Sequence, residues 1–178
     1  TVVASEAFTA DSKTDFKVQL QKAKDSGAEL LFLPIYYTEA SLILQQAADM
    51  GYSPKIFGCD GLDGILGVEN FDVKLAEGVM LLTPFAADAQ DELTQNFVAK
   101  YQEKYNEIPN QFAADAYDAV YAIKAAIEKS GVTPDMSAAQ VNEILMAQFK
   151  TMSFDGITGL GMTWGADGAV SKMPLAVK

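Results

Sequence analysis

The sequence predicts an α/β fold whose first part is built around a parallel sheet. Short apolar runs recur along the chain, segments with helical spacing lie between them, and glycines stand where those segments end. Continuous apolar runs of four or five residues are typical of strands that helices cover on both faces. Because the connections are short, they favour right-handed parallel crossovers.

The first eighty residues predict the order β-α-β-α-β-α-β. We expect parallel strands near residues 2–4, 30–33, 55–57 and 79–82. Phe16, Leu20 and Ala23 repeat at helical spacing and predict a first helix that stops at Gly27. A second helix is expected to run from Thr38, as its N-cap, to Gly51. A third helical stretch is expected over residues 64–68 or 73–77.

The second half of the chain is mainly helical. We predict a helix over residues 90–105, closed by Pro109, and a second long helix that ends at Gly131. Apolar residues three or four positions apart mark the second of these helices: Ala116, Val120, Ile123 and Ile127. A capping-box pattern at Ser137 and Gln140 starts a third helix, which runs to Phe149. The glycine-rich end predicts a strand to Trp164, a turn at 166–168 and a strand near 174–177.

Composition narrows the possible functions. The 178 residues contain 13 Lys plus Arg and 24 Asp plus Glu, so the formal net charge is −11. This surface repels phosphate backbones, and we therefore expect no nucleic-acid partner. One cysteine cannot form an internal disulfide. With no histidine, the chain lacks the usual general base and the commonest metal ligand, which disfavours an enzyme.

A candidate binding site lies at one edge of the predicted sheet. In an open parallel sheet, ligands bind outside the carboxyl ends of the strands. Three loops leave those ends, "FTADSKTD", "IYYTEA" and "CDGLDG", and they carry Tyr36, Tyr37, Asp60 and Asp63. Aromatic walls with a carboxylate suit a small organic cation or an amine. A structural interpretation stays open, because tyrosines at strand ends are often half-buried and an aspartate before glycine, Asp63 above all, often forms a turn.

Other candidate motifs have simpler interpretations. Cys59 is expected to be a small packing residue. Asp60, Asp63 and Glu69 match no known metal-binding loop, and we expect neither a metal nor a cofactor. "GITGLG" resembles a phosphate-binding loop but follows a helix and precedes a strand, which is the wrong context. Most aromatic residues of the helical half fit a core, except Phe112, which starts its helix.

The run "LLFLPIYYTEASLILQQAADMGYSPKIFGCDG" closely resembles the second lobe of type I periplasmic binding proteins. These are extracytoplasmic receptors of ABC importers, and the nearest resemblance is to the branched-chain amino-acid (Leu/Ile/Val) binding group. It continues in the same order through "AEGVMLLTPF", "YDAVYAIKAAIEKSG" and "FDGITGLGMTW" and covers essentially the whole chain. The resemblance implies a Rossmann-like parallel-sheet lobe together with helices that belong to the partner lobe.

The resemblance also implies roles for individual residues. Tyr36 would line the ligand pocket, and Asp60 would bind the α-ammonium group of an amino acid held in a cleft between lobes. Phe112 would pack near the ligand, and Tyr37 would support Tyr36. The implied partners are an amino acid and the ABC permease, and the implied location of the full-length protein is extracytoplasmic.

A complete family member is about twice as long, so the chain is expected to be a processed or expressed piece of a longer protein. It resembles the C-terminal half. Residues 1–86 correspond to an incomplete second lobe, residues 87–170 to first-lobe helices and a short strand, and residues 171–178 to the return toward lobe two. We expect apolar surface on residues 110–129 and possible self-association. Two alternatives stay open: a ligand-sensing domain of a receptor or regulator, and a small enzyme using Asp60, Asp63 or Tyr36.

Overall fold

The structure, a computed structural model, describes residues 1–177 and divides into two units. Unit one comprises Thr1–Thr83 together with the C-terminal end from Ala176, and unit two comprises Pro84–Leu175. The α/β class predicted from the sequence is confirmed: unit one holds a parallel sheet with helices, and unit two is mainly helical.

The sheet of unit one is formed by four strands. In order across the sheet they are β1 (Leu30–Leu33), β2 (Lys55–Gly58), β3 (Met80–Thr83) and β6 (Leu175–Val177), and β1 and β3 both pair with β2 in parallel. In the first pair, Leu30 lies opposite Lys55 and Leu33 opposite Gly58. The strands predicted near 30–33, 55–57 and 79–82 are therefore confirmed.

The strand predicted at residues 2–4 is wrong. Residues 1–9 form no regular element, and Val2 and Val3 are 83% and 53% exposed. This segment and β1 line a cavity of about 940 Å³. A strand requires a ladder of hydrogen bonds to a neighbouring strand. Residues 1–9 do not pair with β1, which therefore forms an edge of the sheet.

Two helices of unit one build its first hydrophobic cluster. Helix α1 (Lys17–Asp25) and helix α2 (Tyr37–Asp49) end near Gly27 and Gly51, whose φ angles are +73° and +60°. These left-handed conformations suit glycine and confirm the predicted helix ends. The buried members of the cluster are Phe16, Leu20, Ala23, Ile43, Ala47 and Tyr52.

The short helical stretch predicted over residues 64–68 or 73–77 is present at both places as 3₁₀ helix, and a further 3₁₀ turn precedes them. These three elements cover Asp60–Leu62, Ile65–Gly67 and Val73–Ala76. Glycines at 61, 64 and 67 keep the first two of these elements short, since each weakens a continuous α-helix. The turns nevertheless contribute to the second hydrophobic cluster, whose buried members are Ala40, Leu44, Ile56, Leu62, Ile65 and Val79.

Unit two consists of three helices and an antiparallel hairpin. Asp91, Asn110 and Ser137 cap the helices by accepting hydrogen bonds from backbone N–H groups, and the predicted capping box of Ser137 and Gln140 is present. The bounds are α3 (Glu92–Tyr105), α4 (Gln111–Ser130), α5 (Ala138–Phe149), β4 (Phe154–Gly156) and β5 (Gly159–Met162). Its core contains Phe85, Phe97, Ala114 and Ile157.

The buried face of α4 differs from the apolar stripe seen in the sequence. Small or polar residues fill the buried face, namely Gln111, Ala114, Asp118, Ala122 and Ala126. The larger side chains Val120, Ile123 and Ile127 are 66%, 44% and 37% exposed. The apolar surface expected on residues 110–129 is therefore present in the structure.

No helix in the described part of the chain combines the length and apolar character that crossing a bilayer requires.

Candidate functional site

The candidate site of unit one lies where β1 and β2 end. Leu33 pairs with Gly58, so the two parallel strands finish level with each other. Tyr36 follows three residues after the end of β1, and Asp60 follows two residues after the end of β2. The register thus brings the predicted phenol and carboxylate to one edge of the sheet, as the carboxyl-end rule for parallel sheets leads us to expect.

Gly61 lies where the two loops that carry these residues touch each other. It is buried, and an added Cβ atom would collide with the carbonyl oxygen of Ile35. The same atom would lie 3.1 Å from the Ile35 carbonyl carbon and 3.4 Å from the Tyr36 Cα. The turn after β2 therefore rests directly on the Ile35–Tyr36 peptide, and Asp60 is one residue away from that contact.

The two tyrosines have different surroundings. Tyr36 is 64% exposed, whereas Tyr37 is half-buried against the second hydrophobic cluster. Tyr36 is also the N-cap of α2, with φ −87° and ψ 159°, and its carbonyl accepts a hydrogen bond from the Ala40 N–H at 3.0 Å. The N-cap predicted at Thr38 is wrong, because the helix begins at Tyr37 and its N-cap is two residues earlier than predicted.

The two carboxylates of the loop that follows β2, Asp60 and Asp63, also differ. Asp60 is exposed at the start of its 3₁₀ turn, and its carbonyl accepts a hydrogen bond from the Asp63 N–H at 3.0 Å. Asp63 is half-buried at the end of the same turn, and Gly64 follows with a φ of +100°. Both residues therefore belong to the turn, with Asp60 exposed at its start and Asp63 half-buried at its end.

The first of the three predicted loops contacts α2 near both of its ends. Lys13 forms a salt bridge with Glu39 at 3.2 Å. The Gln46 side-chain NH₂ donates a hydrogen bond to the Thr14 carbonyl, and its side-chain oxygen accepts one from the Phe16 N–H. Within residues 1–177, no group of three or more His, Cys, Asp or Glu side chains is arranged to hold a metal ion. The edge thus offers a phenol and a carboxylate, a combination that favours a cationic group.

Phe112 belongs to unit two. It is the second residue of α4 and is half-buried, one position after the fully buried Gln111. The ligand-binding roles of Tyr36, Asp60 and Phe112, and the supporting role of Tyr37, stay predictions.

Sequence reasoning overlooked Gly61. The dipeptide Asp60–Gly61 has the composition of a turn, which hides the close approach of a second loop. The available signal was the glycine itself, since glycine also occurs where two backbone segments touch.

Comparison with known proteins supports the resemblance. The family model for periplasmic binding proteins matches residues 1–177. A curated relative from Brucella melitensis, Leu/Ile/Val-binding protein homolog 3, is 32% identical over 128 residues, which is 70% of this chain and 33% of that protein. The chain therefore spans about a third of the length of this curated relative.

Solved structures share the fold. The branched-chain amino acid transporter substrate-binding protein LivJ from Streptococcus pneumoniae, in complex with isoleucine, is 30% identical with a TM-score of 0.73, and the match covers 95% of this chain and 46% of that one. A solute-binding protein from Rhodopseudomonas palustris in complex with benzoate gives a TM-score of 0.76 at 18% identity, covering 92% and 43%. At that identity the second likeness shows the fold alone.

The match over residues 1–177, the parallel sheet and the solved structures agree on the type I architecture of transporter substrate-binding proteins. The chain belongs to the periplasmic binding protein family.

Proposed function

We propose that this chain carries part of the binding site of an amino-acid-binding protein that serves an ABC importer. In this proposal Asp60 binds the ammonium group of the amino acid, and the ring of Tyr36 packs against its aliphatic part. The observation that carries the proposal is the shared sheet edge: β1 and β2 end level with each other, and the loops that follow them touch at Gly61.

The chemistry of the edge favours an ammonium group. A carboxylate attracts a cation, and a hydrogen bond between charged partners is about twice as strong as one between neutral groups. The phenol ring of Tyr36 is 64% exposed, so it has surface available for a ligand. Tyr37 is the next residue and packs against the second hydrophobic cluster, which suits the proposed supporting role.

An aliphatic amino acid fits this site better than an aromatic acid. The relatives at about 30% identity are named for leucine, isoleucine and valine or were solved with isoleucine. The benzoate-binding protein shares only the fold. Benzoate has no ammonium group, and its carboxylate would meet like charge at Asp60. We therefore propose a branched-chain or similar aliphatic amino acid.

Several parts of the proposal come from the family and extend beyond this chain. Phe112 is proposed to pack near the ligand, the full-length protein to act outside the cytoplasm, and an ABC permease to receive the ligand. The role requires binding and release without any change in covalent bonds, so we propose no catalytic residue.

Titration calorimetry on the full-length gene product tests the proposal. Isoleucine, leucine and valine should bind and be recovered unchanged, while benzoate should not bind. Tight binding of benzoate with no binding of the amino acids would overturn the proposed ligand class. A ligand-sensing domain of a receptor or regulator would also bind amino acids. Uptake of labelled isoleucine in cells that lack the gene separates the two, since only the transport role predicts lost uptake.

A further inference from the structure

The close contact at Gly61 has a feature that the contacts at Gly58, Gly156 and Gly159 lack. The atoms nearest to its added Cβ are backbone atoms of Ile35 and Tyr36, which cannot rotate away. At Gly58, by contrast, the atoms nearest to the added Cβ belong to the side chain of Leu62, a residue of the same turn. A side chain at position 61 would therefore force the two loops apart.

We propose that Gly61 is a positioning residue that sets the separation between the Asp60 carboxylate and the Tyr36 ring. This inference rests on the proposed function. Gly61 is the residue after Asp60, and its nearest neighbours are Ile35 and Tyr36, so any widening of this contact moves the carboxylate relative to the ring. The separation decides whether an ammonium group and the aliphatic chain beside it engage both residues at once.

The chain provides a matched control in the next turn. Gly67 ends the neighbouring 3₁₀ turn, Ile65–Gly67, and an added Cβ there would meet nothing within 4 Å. Neither Gly61 nor Gly67 has a positive φ, so alanine can adopt the local φ angle at both positions. Gly61→Ala and Gly67→Ala therefore differ mainly in the contact that they create.

Isoleucine titrations on the full-length gene product test the proposal. Gly61→Ala should weaken binding by about tenfold or more, while Gly67→Ala should stay within about twofold. A double-mutant cycle with Asp60→Asn shows whether Gly61 acts through Asp60: in the Asp60→Asn background, Gly61→Ala should cost much less. A purely structural role would give equal losses in both backgrounds. Unchanged affinity of Gly61→Ala, or fully additive losses, would overturn the proposal.

A second readout does not depend on the ligand. Backbone amide NMR shifts of Ile35, Tyr36 and Asp60 should change in Gly61→Ala and stay in place in Gly67→Ala. If isoleucine does not bind the parent, the proposed ligand is wrong, but these shifts still test the positioning. Unchanged shifts at Tyr36 and Asp60 would overturn it.

A third variant covers the possibility that Gly61→Ala does not fold. Gly58→Ala displaces the same turn through the Leu62 side chain. It should weaken isoleucine binding several-fold and shift the Asp60 amide. If Gly58→Ala moves that amide and leaves the affinity of a binding parent unchanged, the turn does not set the site geometry.

Discussion

The Asp118 carboxylate holds Thr158 by two hydrogen bonds. Its Oδ2 atom accepts from the Thr158 backbone N–H at 2.8 Å and from the Thr158 hydroxyl at 2.6 Å. Its Oδ1 atom accepts from the Ile157 N–H at 3.0 Å. An added Cβ at Gly156 would collide with this carboxylate, so the glycine leaves room for it. The sequence runs "YDAVY" and "FDGITG" thus form one structural unit, although about 40 residues separate them.

Lys172 and Asp115 extend this hydrogen-bond network. The Lys172 ammonium group donates to the Thr158 hydroxyl oxygen at 2.7 Å and to the Asp115 carboxylate at 2.5 Å. Asp118 is 4% exposed, so water cannot replace a partner that is lost. The network explains how α4 buries a charged side chain, since hydrogen bonds offset the cost of removing that charge from water.

Replacing Asp118 with asparagine should destabilise unit two by about 2–4 kcal/mol. Asparagine has one acceptor oxygen where aspartate has two, and its NH₂ group would face the N–H groups of the hairpin turn. Chemical unfolding monitored by the fluorescence of Trp164, the only tryptophan of the chain and part of unit two, measures the change.

Glu128→Gln is the control for Asp118→Asn. Glu128 forms a salt bridge with Lys124 at 2.7 Å, but both side chains are about 60% exposed. An exposed ion pair typically contributes under about 1 kcal/mol. If Asp118→Asn costs no more than this control, the carboxylate does not hold the hairpin.

Local patterns in the sequence were enough to predict most elements of unit one. The run Leu30–Leu33 and the helix-ending glycines fixed β1 and the ends of α1 and α2. The strand expected at residues 2–4 failed because a strand depends on a neighbour, and an apolar run cannot show whether one is present. The N-cap of α2 was predicted at Thr38, two residues too late. The actual cap, Tyr36, has the extended backbone of a cap but makes no capping hydrogen bond with its side chain, and a residue type that does not cap gives no signal in the sequence.

The helical half shows a different limit. Periodicity alone would assign the apolar stripe of Val120, Ile123 and Ile127 to a core face, and only the resemblance to a longer protein predicted the exposure that the structure shows. The buried face instead consists mainly of alanines with Gln111 and Asp118, because small residues let the helix approach its neighbours closely. At the candidate site, the sheet-edge rule located Tyr36 and Asp60, but the Gly61 contact depends on tertiary structure and could not be predicted.

Unit two should lose stability in acid through the N-cap of α3. The Thr94 N–H donates to the Asp91 carboxylate at 2.9 Å, and this bond lowers the pKa of Asp91 below its ordinary value of about 3.9. A lowered folded-state pKa gives stability that is present above about pH 3.9 and is lost as the pH falls through the folded pKa. Urea unfolding at several pH values, followed by Trp164 fluorescence, measures the dependence.

Two variants of Asp91 isolate the effect. Asp91→Ala should cost about 1 kcal/mol at neutral pH, which is typical of a lost N-cap. Asp91→Asn keeps a capping oxygen and should reduce the loss of stability in acid. If Asp91→Asn and the parent lose stability equally between pH 5 and about pH 3, the cap does not contribute to acid sensitivity.

The apolar stripe on α4 should cause the 178-residue chain to self-associate. Val120, Ile123 and Ile127 lie three or four positions apart on one exposed face, and contiguous apolar surface of this kind favours association. Light scattering over a range of concentrations should show a mass above that of a monomer, and Val120→Lys should reduce it.

Leu160→Lys is the control for the stripe. Leu160 is 82% exposed and lies on β5, so it is not part of the α4 stripe. It should leave the measured mass unchanged. A monomer at every concentration would show that the stripe does not associate, and equal effects of the two lysines would assign the association to general surface charge.

The proposed ammonium site predicts that Asp60→Asn weakens isoleucine binding by one to a few orders of magnitude. Asparagine keeps the shape and removes the charge, and losing a charged partner typically costs about 2–5 kcal/mol. Tyr36→Phe should cost less, because the ring stays. Asp63→Asn removes the same charge from a turn position of the same loop and should change the affinity only a few-fold. Calorimetry on the full-length gene product with isoleucine compares the three variants. If Asp60→Asn binds as tightly as the parent, Asp60 is a turn residue and the amine is held elsewhere.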